Sequence, residues 1–200
     1  MSTRKLTLAD IADLRAYERE REAFRSHVID LKKRRRVHLG TILTLVFENR
    51  DTIRFQVQEM ARVEKLITDE AIQGELDTYN PLIPSAGQLS ATVFLELTSE
   101  DQLREWLPKL VGIERSLVLR AGEGHATVDV RATTEEAHAA QLTREAVTAS
   151  VHYVRWDLTA EQVAAVERGP VHLVVDHPAY TDAAELAPST VGELLLDLHG

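Results

Sequence analysis

Residues 41–65 read TILTLVFENRDTIRFQVQEMARVEK, and their pattern changes once along the way. The opening run, 41–47, is made of β-branched and apolar residues, which predicts a strand. After a polar turn, apolar residues recur at helical spacing, so 52–66 is predicted to be an amphipathic helix. Its apolar face consists of Ile53, Val57, Met60 and Ala61, with Glu64 as the one charged member. A strand followed directly by a helix indicates a mixed fold.

The chain before this stretch is predicted to be helical over 6–36, as one helix or two. Apolar residues recur there at helical spacing and form one stripe: Leu8, Ile11, Leu14, Tyr17, Phe24, Val28 and Leu31. Gly40 ends this segment. Beyond the helix over 52–66, a short helix is predicted at 69–78. The hexapeptide YNPLIP at 79–84 follows, and its two prolines predict a rigid, extended loop.

The second half of the chain contains short apolar runs separated by turn residues. The predicted strands are 89–97, 113–120, 125–132, 149–158 and 171–176. The predicted helices are 99–109, 134–146, 159–168 and 189–198. Gly122 and Gly124 indicate a hairpin between two of the strands. The fold is therefore predicted to be α+β, with a mostly antiparallel sheet and the long amino-terminal helix packed on it.

No stretch of the sequence has the composition of a linker, so 1–200 is predicted to be a single domain. Its parts, in chain order, are an amino-terminal helical segment (1–40), a strand–helix–loop unit (41–84) and a sheet-rich part (85–200). A chain of 200 residues is long enough for one compact domain with a sizeable core.

Composition excludes several classes of function. The chain has 23 Lys and Arg residues and 32 Asp and Glu residues, which gives a net charge of −9. This negative charge disfavours nucleic-acid binding, because such binding depends on neutralising phosphates. Cysteine is absent, so the chain cannot hold an iron–sulfur cluster through its own thiolates, and any other cofactor is left open. The start, MSTRKLTLAD, lacks the apolar core of a secretory signal, and no apolar run is long enough to span a membrane. A cytoplasmic protein without membrane association is expected.

The helix over 52–66 carries the first candidate site. Arg54, Gln58 and Arg62 follow one another at intervals of four, so they line one face beside the apolar one, with Glu59 on its flank. Two guanidinium groups around an amide would suit a carboxylate or phosphate ligand. The alternative is a solvated face with a local Glu–Arg pair, and spacing alone favours that alternative.

Two histidines near strands form the second group of candidates. On a strand over 149–158, His152 belongs to the apolar face and Arg155 to the opposite one. His152 is either a core residue with satisfied nitrogens or a desolvated base or ligand. Asp176 and His177 stand where the strand over 171–176 ends before a proline, a usual place for site residues. Asp176 could instead simply cap a turn.

These residues allow a metal site in principle. His152 and His177, with Glu59 or Asp176, offer imidazole and carboxylate ligands for zinc, iron or manganese. No helical HxxxH or HExxH spacing supports such a site, and no glycine-rich phosphate loop or nucleophile motif is present in the sequence.

A basic run, Lys32 to Arg36, lies at the end of the first helical segment. Cations in the last turns of a helix complement its dipole, and this is the simplest interpretation. Docking of an acidic partner is the main alternative, and nucleic-acid binding is a weaker one.

Four stretches together resemble the bacterial domain-of-unknown-function family 3501 (DUF3501), and the resemblance covers nearly the whole chain. They are LKKRRRVHLG (31–40), LVFENRDTIRFQVQEMARVEK (45–65), ELDTYNPLIP (75–84) and VDHPAY (175–180). The family has no established activity. The resemblance implies genomic association with rubrerythrin-like diiron proteins and with iron–sulfur proteins similar to heterodisulfide reductase subunits, and hence a redox or oxidative-stress role in the cytoplasm.

The resemblance adds weight to residues within the matching stretches but assigns no catalytic one. The expected ligand-binding set is Arg54, Gln58, Arg62, Tyr79, Asn80, Arg155 and Tyr180. The favoured function is a binding or accessory protein for a small anionic ligand or a redox partner. The alternative is a metal-dependent or acid–base enzyme using His152, His177 and Glu59. A homo-oligomer formed through the long helix is a further option. The main hypothesis requires the helix over 52–66, the loop at 79–84 and His177 to meet at one pocket.

Overall fold

A computed structural model describes residues 5–134 and 147–200. The helices there are α1 (Leu14–Arg35), α2 (Arg50–Glu64), α3 (Asp69–Tyr79), α4 (Glu100–Lys109), α5 (Ala160–Arg168) and α6 (Pro188–His199). The strands are β1 (Arg36–Leu39), β2 (Leu43–Phe47), β3 (Gln88–Leu95), β4 (Leu117–Ala121), β5 (Val128–Arg131), β6 (Val151–Asp157), β7 (Val171–His177) and β8 (Tyr180–Glu185). The predicted α+β class is confirmed.

Local sequence explains where the main helices begin. The Asn49 side chain accepts a hydrogen bond from the Thr52 backbone N–H, and the Thr52 hydroxyl accepts one from Asn49 N–H in return, which fixes the start of α2. Ser99 caps α4 and Thr159 caps α5 in the same way. No helix among the described residues has the length and apolar character that a membrane span needs.

The strands form two four-stranded antiparallel sheets. The first sheet has the order β1-β2-β3-β6, and the second has the order β5-β4-β7-β8. The sheets meet at both edges: Thr133, after β5, pairs with Arg155 of β6, and the Tyr180 hydroxyl on β8 donates to the Leu39 carbonyl of β1 at 2.7 Å. Their inner faces therefore enclose one hydrophobic core, in which Trp156 and Phe47 are fully buried.

A helical layer covers the outer face of the first sheet. The amino-terminal segment, α2, α3 and the loop after α3 share a second hydrophobic cluster, to which Tyr153 of the first sheet contributes. The long helix α1 packs mainly on α2 and also contacts β2 and α6. The predicted packing of the amino-terminal helix is thus confirmed in part, because most of its contacts are with other helices.

Several predicted boundaries are wrong. The end of the first helix agrees with the prediction to within one residue, but strand β1, which follows it directly and pairs with β2 across a turn at Gly40, was not predicted. Asn80–Leu82 form a 3-10 turn rather than an extended loop. Strand β7 continues through His177 and forms a hairpin with β8, which was not predicted. The helix predicted over 134–146 falls, after its first residue, outside the described residues.

Candidate functional site

Arg54 on α2 is engaged within the protein. Its Nε donates to the Asp10 carbonyl at 2.9 Å, and its Nη2 pairs with the Glu20 carboxylate at 3.0 Å. The guanidinium carbon lies 4.8 Å from the centroid of the Phe24 ring, in cation–π geometry. This side chain therefore joins α2 to α1 and to the amino-terminal segment.

Gln58 and Glu59, one turn further along α2, also join α2 to α1 and to the amino-terminal segment. Gln58 is fully buried, and its amide exchanges two hydrogen bonds with the Ala12 backbone, at 2.7 and 3.2 Å. Glu59 accepts from the Tyr17 hydroxyl at 2.7 Å and from Arg21 Nε and Nη2 at 2.7 and 2.9 Å. The hydrogen bonds from Arg21 lower the pKa of Glu59 to about 2, although its partial burial opposes the change.

Arg62 and Asn80 also make contacts within the protein. Arg62 lies 3.4 Å from Glu59 and 3.8 Å from Glu18. The Asn80 side chain exchanges two hydrogen bonds with the Leu6 backbone, at 2.8 and 2.9 Å, and so anchors the amino-terminal segment. The face expected to bind an anion is instead the seam between α2, α1 and the segment before α1.

The residues around β7 lie on the second sheet. His177 Nε2 is 3.0 Å from the Val111 carbonyl, and its Nδ1 accepts from the Ala179 N–H at 3.2 Å. Asp176 accepts two hydrogen bonds from Arg131, which lower its pKa. The predicted meeting of His177 with the α2 face is therefore wrong, because the two belong to different parts of the fold.

The Tyr180 side chain joins two strands, whereas the Arg155 side chain pairs within its own strand. The Tyr180 hydroxyl donates to the Leu39 carbonyl and accepts from Thr41 N–H at 3.2 Å, at the edge where β1 meets β8. Arg155 pairs with the nearby Asp157 at 3.1 Å.

His152 is a buried residue of the first sheet. Its Nε2 lies 2.8 Å from the Ala149 carbonyl and 2.9 Å from the Thr148 hydroxyl, and its Nδ1 is 4.0 Å from Glu114. Burial lowers the pKa of His152, while the Glu114 carboxylate acts in the opposite direction. The described residues contain no cluster of three metal-ligating side chains. The predicted metal set of His152, His177 and Glu59 or Asp176 is therefore not assembled.

A different group of side chains converges beneath α1. A cavity of about 160 Å³ lies between α1, α2 and the outer face of the first sheet. Its lining residues are Lys32, Glu48, Thr52, Ile53, Gln56, Tyr79, Leu82, Thr92, Phe94, Val151 and Tyr153. Tyr79 is the one member of the expected ligand-binding set that reaches it. Thr92 pairs with Tyr153 and Phe94 with Val151 across β3 and β6, which places all four on this outer face.

Glu48 is the central polar group of this cavity. It follows β2 directly, only 6% of its surface is exposed, and its Oε1 accepts from the Thr92 hydroxyl at 2.6 Å. No Lys, Arg or His nitrogen of the described chain lies within ion-pairing distance of its carboxylate. A buried carboxylate without a cation is costly to stability, and such groups are concentrated at functional sites.

Aromatic residues line the same cavity as this carboxylate. Burial raises the pKa of Tyr153, and the nearby Tyr79 hydroxyl and Glu48 carboxylate raise it further. The Tyr153 phenol is thus close enough to the Tyr79 hydroxyl and to the Glu48 carboxylate to interact with both. The cavity offers hydrogen-bond donors, a carboxylate acceptor and ring faces.

Lys32 connects the cavity to a larger basic groove. It also lines a neighbouring concavity of about 480 Å³, whose walls are Ile29, Lys32, Lys33, Arg36 and His38. Within the described part of the chain, neither Lys32 nor Arg36 forms an ion pair, whereas Lys33 pairs with Asp30. Three cations line this groove with no carboxylate among them, so it favours anions.

The remainder of the basic run is used inside the protein. Arg35 is buried and donates to Asp197 at 2.6 Å, and it pairs with Glu193 at 3.1 Å. Arg34 reaches Glu193 at 2.7 Å. An acidic partner was considered for this basic run. Arg34 and Arg35 bind acidic residues of helix α6 in the same chain.

Sequence reasoning missed Glu48, Gln56, Thr92 and Tyr153. One signal was available: an acidic residue directly after a strand of mainly apolar residues is placed at the edge of the core, where its carboxylate needs a partner. The polar face of β3 and β6 gave a second signal, because Thr92 and Tyr153 alternate with core residues. Neither signal shows that these strands lie beneath α1, because the tertiary fold sets that position.

The fold and the cavity define an α+β protein with two antiparallel sheets and a small polar cavity beneath its amino-terminal helix. The chain belongs to the family described as "Protein of unknown function (DUF3501)", whose model matches residues 5–198. It is similar to a crystal structure described as a novel protein of unknown function from Burkholderia pseudomallei, with a TM-score of 0.87 and 36% identity. That match covers 97% of this chain and 99% of the other. No curated protein matches the chain.

Proposed function

We propose that this is a binding protein for a small organic anion, held between the basic groove and the cavity beneath α1. The observation that carries the proposal is Lys32, which lines both spaces and has no ion-pair partner among the described residues. An ammonium group in that position attracts a carboxylate or phosphate, and Arg36 adds a second cation at the groove.

The size of the cavity limits the ligand. A cavity of about 150 Å³ accommodates a benzene ring, and the cavity beneath α1 measures about 160 Å³. It therefore suits a short alkyl chain or one ring, with the charged end of the ligand in the groove.

The enzyme alternative has less support. His152 and His177 are bonded to backbone carbonyls and do not line this cavity. Glu59 is held by Arg21 and Tyr17 with its pKa lowered, which makes it a poor base. A role in a cytoplasmic redox or oxidative-stress system is part of the proposal, and it rests on the family resemblance rather than on the site.

Calorimetric titration with butanoate, pentanoate and hexanoate tests the proposal. We expect at least one acid to bind, and Lys32→Met to weaken it tenfold or more, because charge-assisted hydrogen bonds contribute about 1.5–3 kcal/mol. Lys109→Met is the matched control, since Lys109 lies on α4 and is paired with Glu105. Unchanged affinity in Lys32→Met, or no binding of any acid, would contradict the proposal.

A further inference from the structure

We infer that the buried end of the cavity selects a protonated amine, so that the ligand is a small amino acid with its amine at Glu48 and its acid group at Lys32. This inference rests on the proposed function and specifies the ligand class of the same site. It starts from the contrast between two lining residues that have no ion-pair partner within residues 5–134 and 147–200, one a cation near the groove and the other a buried carboxylate.

The hydrogen bonding of Glu48 leaves room for a donor. The Thr92 hydroxyl occupies Oε1, and no other hydrogen bond to the carboxylate is formed by the described residues. An ionised carboxylate accepts up to about four hydrogen bonds, so most of its capacity is unused. A ligand ammonium would supply both the missing charge and the missing donors.

The aromatic lining favours an ammonium over a metal ion. Tyr79, Phe94 and Tyr153 present rings to the same space, and ring faces attract organic cations. A metal ion would require further carboxylate or imidazole ligands, and the described chain has no group of three such side chains. The walls therefore fit an alkylammonium group.

The positions of the two charges define the shape of the ligand. Lys32 and Glu48 line one cavity without forming an ion pair, so their charged atoms are more than 4.0 Å apart. A ligand that carries its amine and its acid at opposite ends of a short apolar chain can meet both charges. The ω-amino acids 4-aminobutanoate, 5-aminopentanoate and 6-aminohexanoate have this form.

The experiment compares each ω-amino acid with the acid that lacks the amine, by calorimetric titration of the full chain. We expect the best-fitting amino acid to bind about tenfold more tightly than its matched acid. In Glu48→Gln this preference should disappear, so that the amino acid and its matched acid bind with affinities within about twofold of each other. In Lys32→Met, affinity for both compounds should fall together.

Controls separate this inference from the proposed function. Glu96→Gln changes an exposed glutamate after β3 and should leave the preference intact. If Glu48→Gln does not fold, Tyr79→Leu provides a second test, because loss of its ring should reduce the preference several-fold. Equal binding of the amino acids and the acids overturns the inference alone. Failure of both series to bind overturns the proposed function as well.

Discussion

Glu59 shows how one side chain can organise three others. Its carboxylate accepts from the Tyr17 hydroxyl and from two nitrogens of Arg21, and it lies beside Arg62. Because all of these partners except Arg62 belong to α1, the residue links the two longest helices of the described chain. Its chemistry is that of a structural ion-pair network.

We predict that Glu59→Gln lowers the free energy of unfolding by about 1–3 kcal/mol at pH 7, because charge-assisted hydrogen bonds are lost. The folded-state pKa of Glu59 is lowered to about 2 from an ordinary value of 4.5. A lowered carboxyl pKa stabilises the fold above the unfolded-state pKa, and the effect is lost as pH falls through the folded-state value. The difference between wild type and variant should therefore shrink between about pH 5 and pH 2.

Urea unfolding across that pH range measures the prediction, and the difference between the two proteins isolates Glu59 from other titrating groups. Glu64→Gln, on the exposed end of the same helix, is the control and should change stability by less than about 0.5 kcal/mol. A difference that stays constant from pH 7 to pH 2 would contradict the assignment.

Gly40 is the residue on which the turn between β1 and β2 depends. Its φ is +63°, and a Cβ there would collide with the Tyr180 hydroxyl and the Asp182 carboxylate. We predict that Gly40→Ala destabilises the protein by about 1–3 kcal/mol, from backbone strain and from displacement of Tyr180. Gly74→Ala, in open space on α3, should instead be neutral or stabilising by up to about 1 kcal/mol. Thermal unfolding of both variants tests the opposite signs.

At the scale of elements, α6 depends on a buried arginine at the end of α1. Arg35 is 1% exposed and donates to Asp197 and Glu193, which stand one turn apart on α6. Removing one partner of a buried ion pair leaves the other charges uncompensated. The carboxyl-terminal helix is therefore fixed to the helical layer by charge as well as by apolar contacts.

We predict that Arg35→Met costs about 3–5 kcal/mol in the free energy of unfolding. Hydrogen exchange should show that the amides of α6 lose more protection than those of β3. Arg34→Ala removes an arginine that is 44% exposed and pairs with the same Glu193, so it should cost less than about 1 kcal/mol. Equal effects of the two variants would show that burial of Arg35 is not the source of the stability.

The elements that sequence predicted well are those with a strong pattern of their own. TILTLVF gave β2, and the helical recurrence that begins at Ile53 gave α2. β1 was missed because it is only four residues long and starts directly after α1 with no turn residue between them, and it is a strand through its pairing with β2. β8 reads YTDAAE, which lacks apolar alternation, and it is a strand because β7 pairs with it at the edge of the second sheet.

The candidate site was harder to predict for a related reason. The Arg54–Gln58–Arg62 pattern does identify a face that forms specific hydrogen bonds. The amino-terminal segment folds back onto this face, however, and its backbone carbonyls accept the hydrogen bonds of Arg54 and Gln58. Tyr79, which was selected from sequence, lines the cavity, whereas Glu48 and Tyr153 line it and were not selected. Glu48 and Tyr153 are far apart along the chain, so the sequence gives no sign that they border one cavity under α1.

At the scale of the whole molecule, two hydrophobic clusters meet across the first sheet. Its inner face contributes Trp156 to the core between the sheets, and its outer face contributes Tyr153 to the helical layer. Strand β6 therefore belongs to both clusters, since its side chains alternate between them. Disrupting either cluster removes support from the other.

We predict that this sharing makes unfolding a single cooperative transition, although the chain is longer than most two-state domains. The variant Trp106→Phe leaves Trp156 as the one tryptophan, so its fluorescence reports the core between the sheets. Far-UV circular dichroism of the same variant is dominated by the helices. The two probes should give the same urea midpoint within experimental error. A fluorescence midpoint clearly above the dichroism midpoint would mean that the helical layer unfolds first, and that β6 does not couple the two clusters.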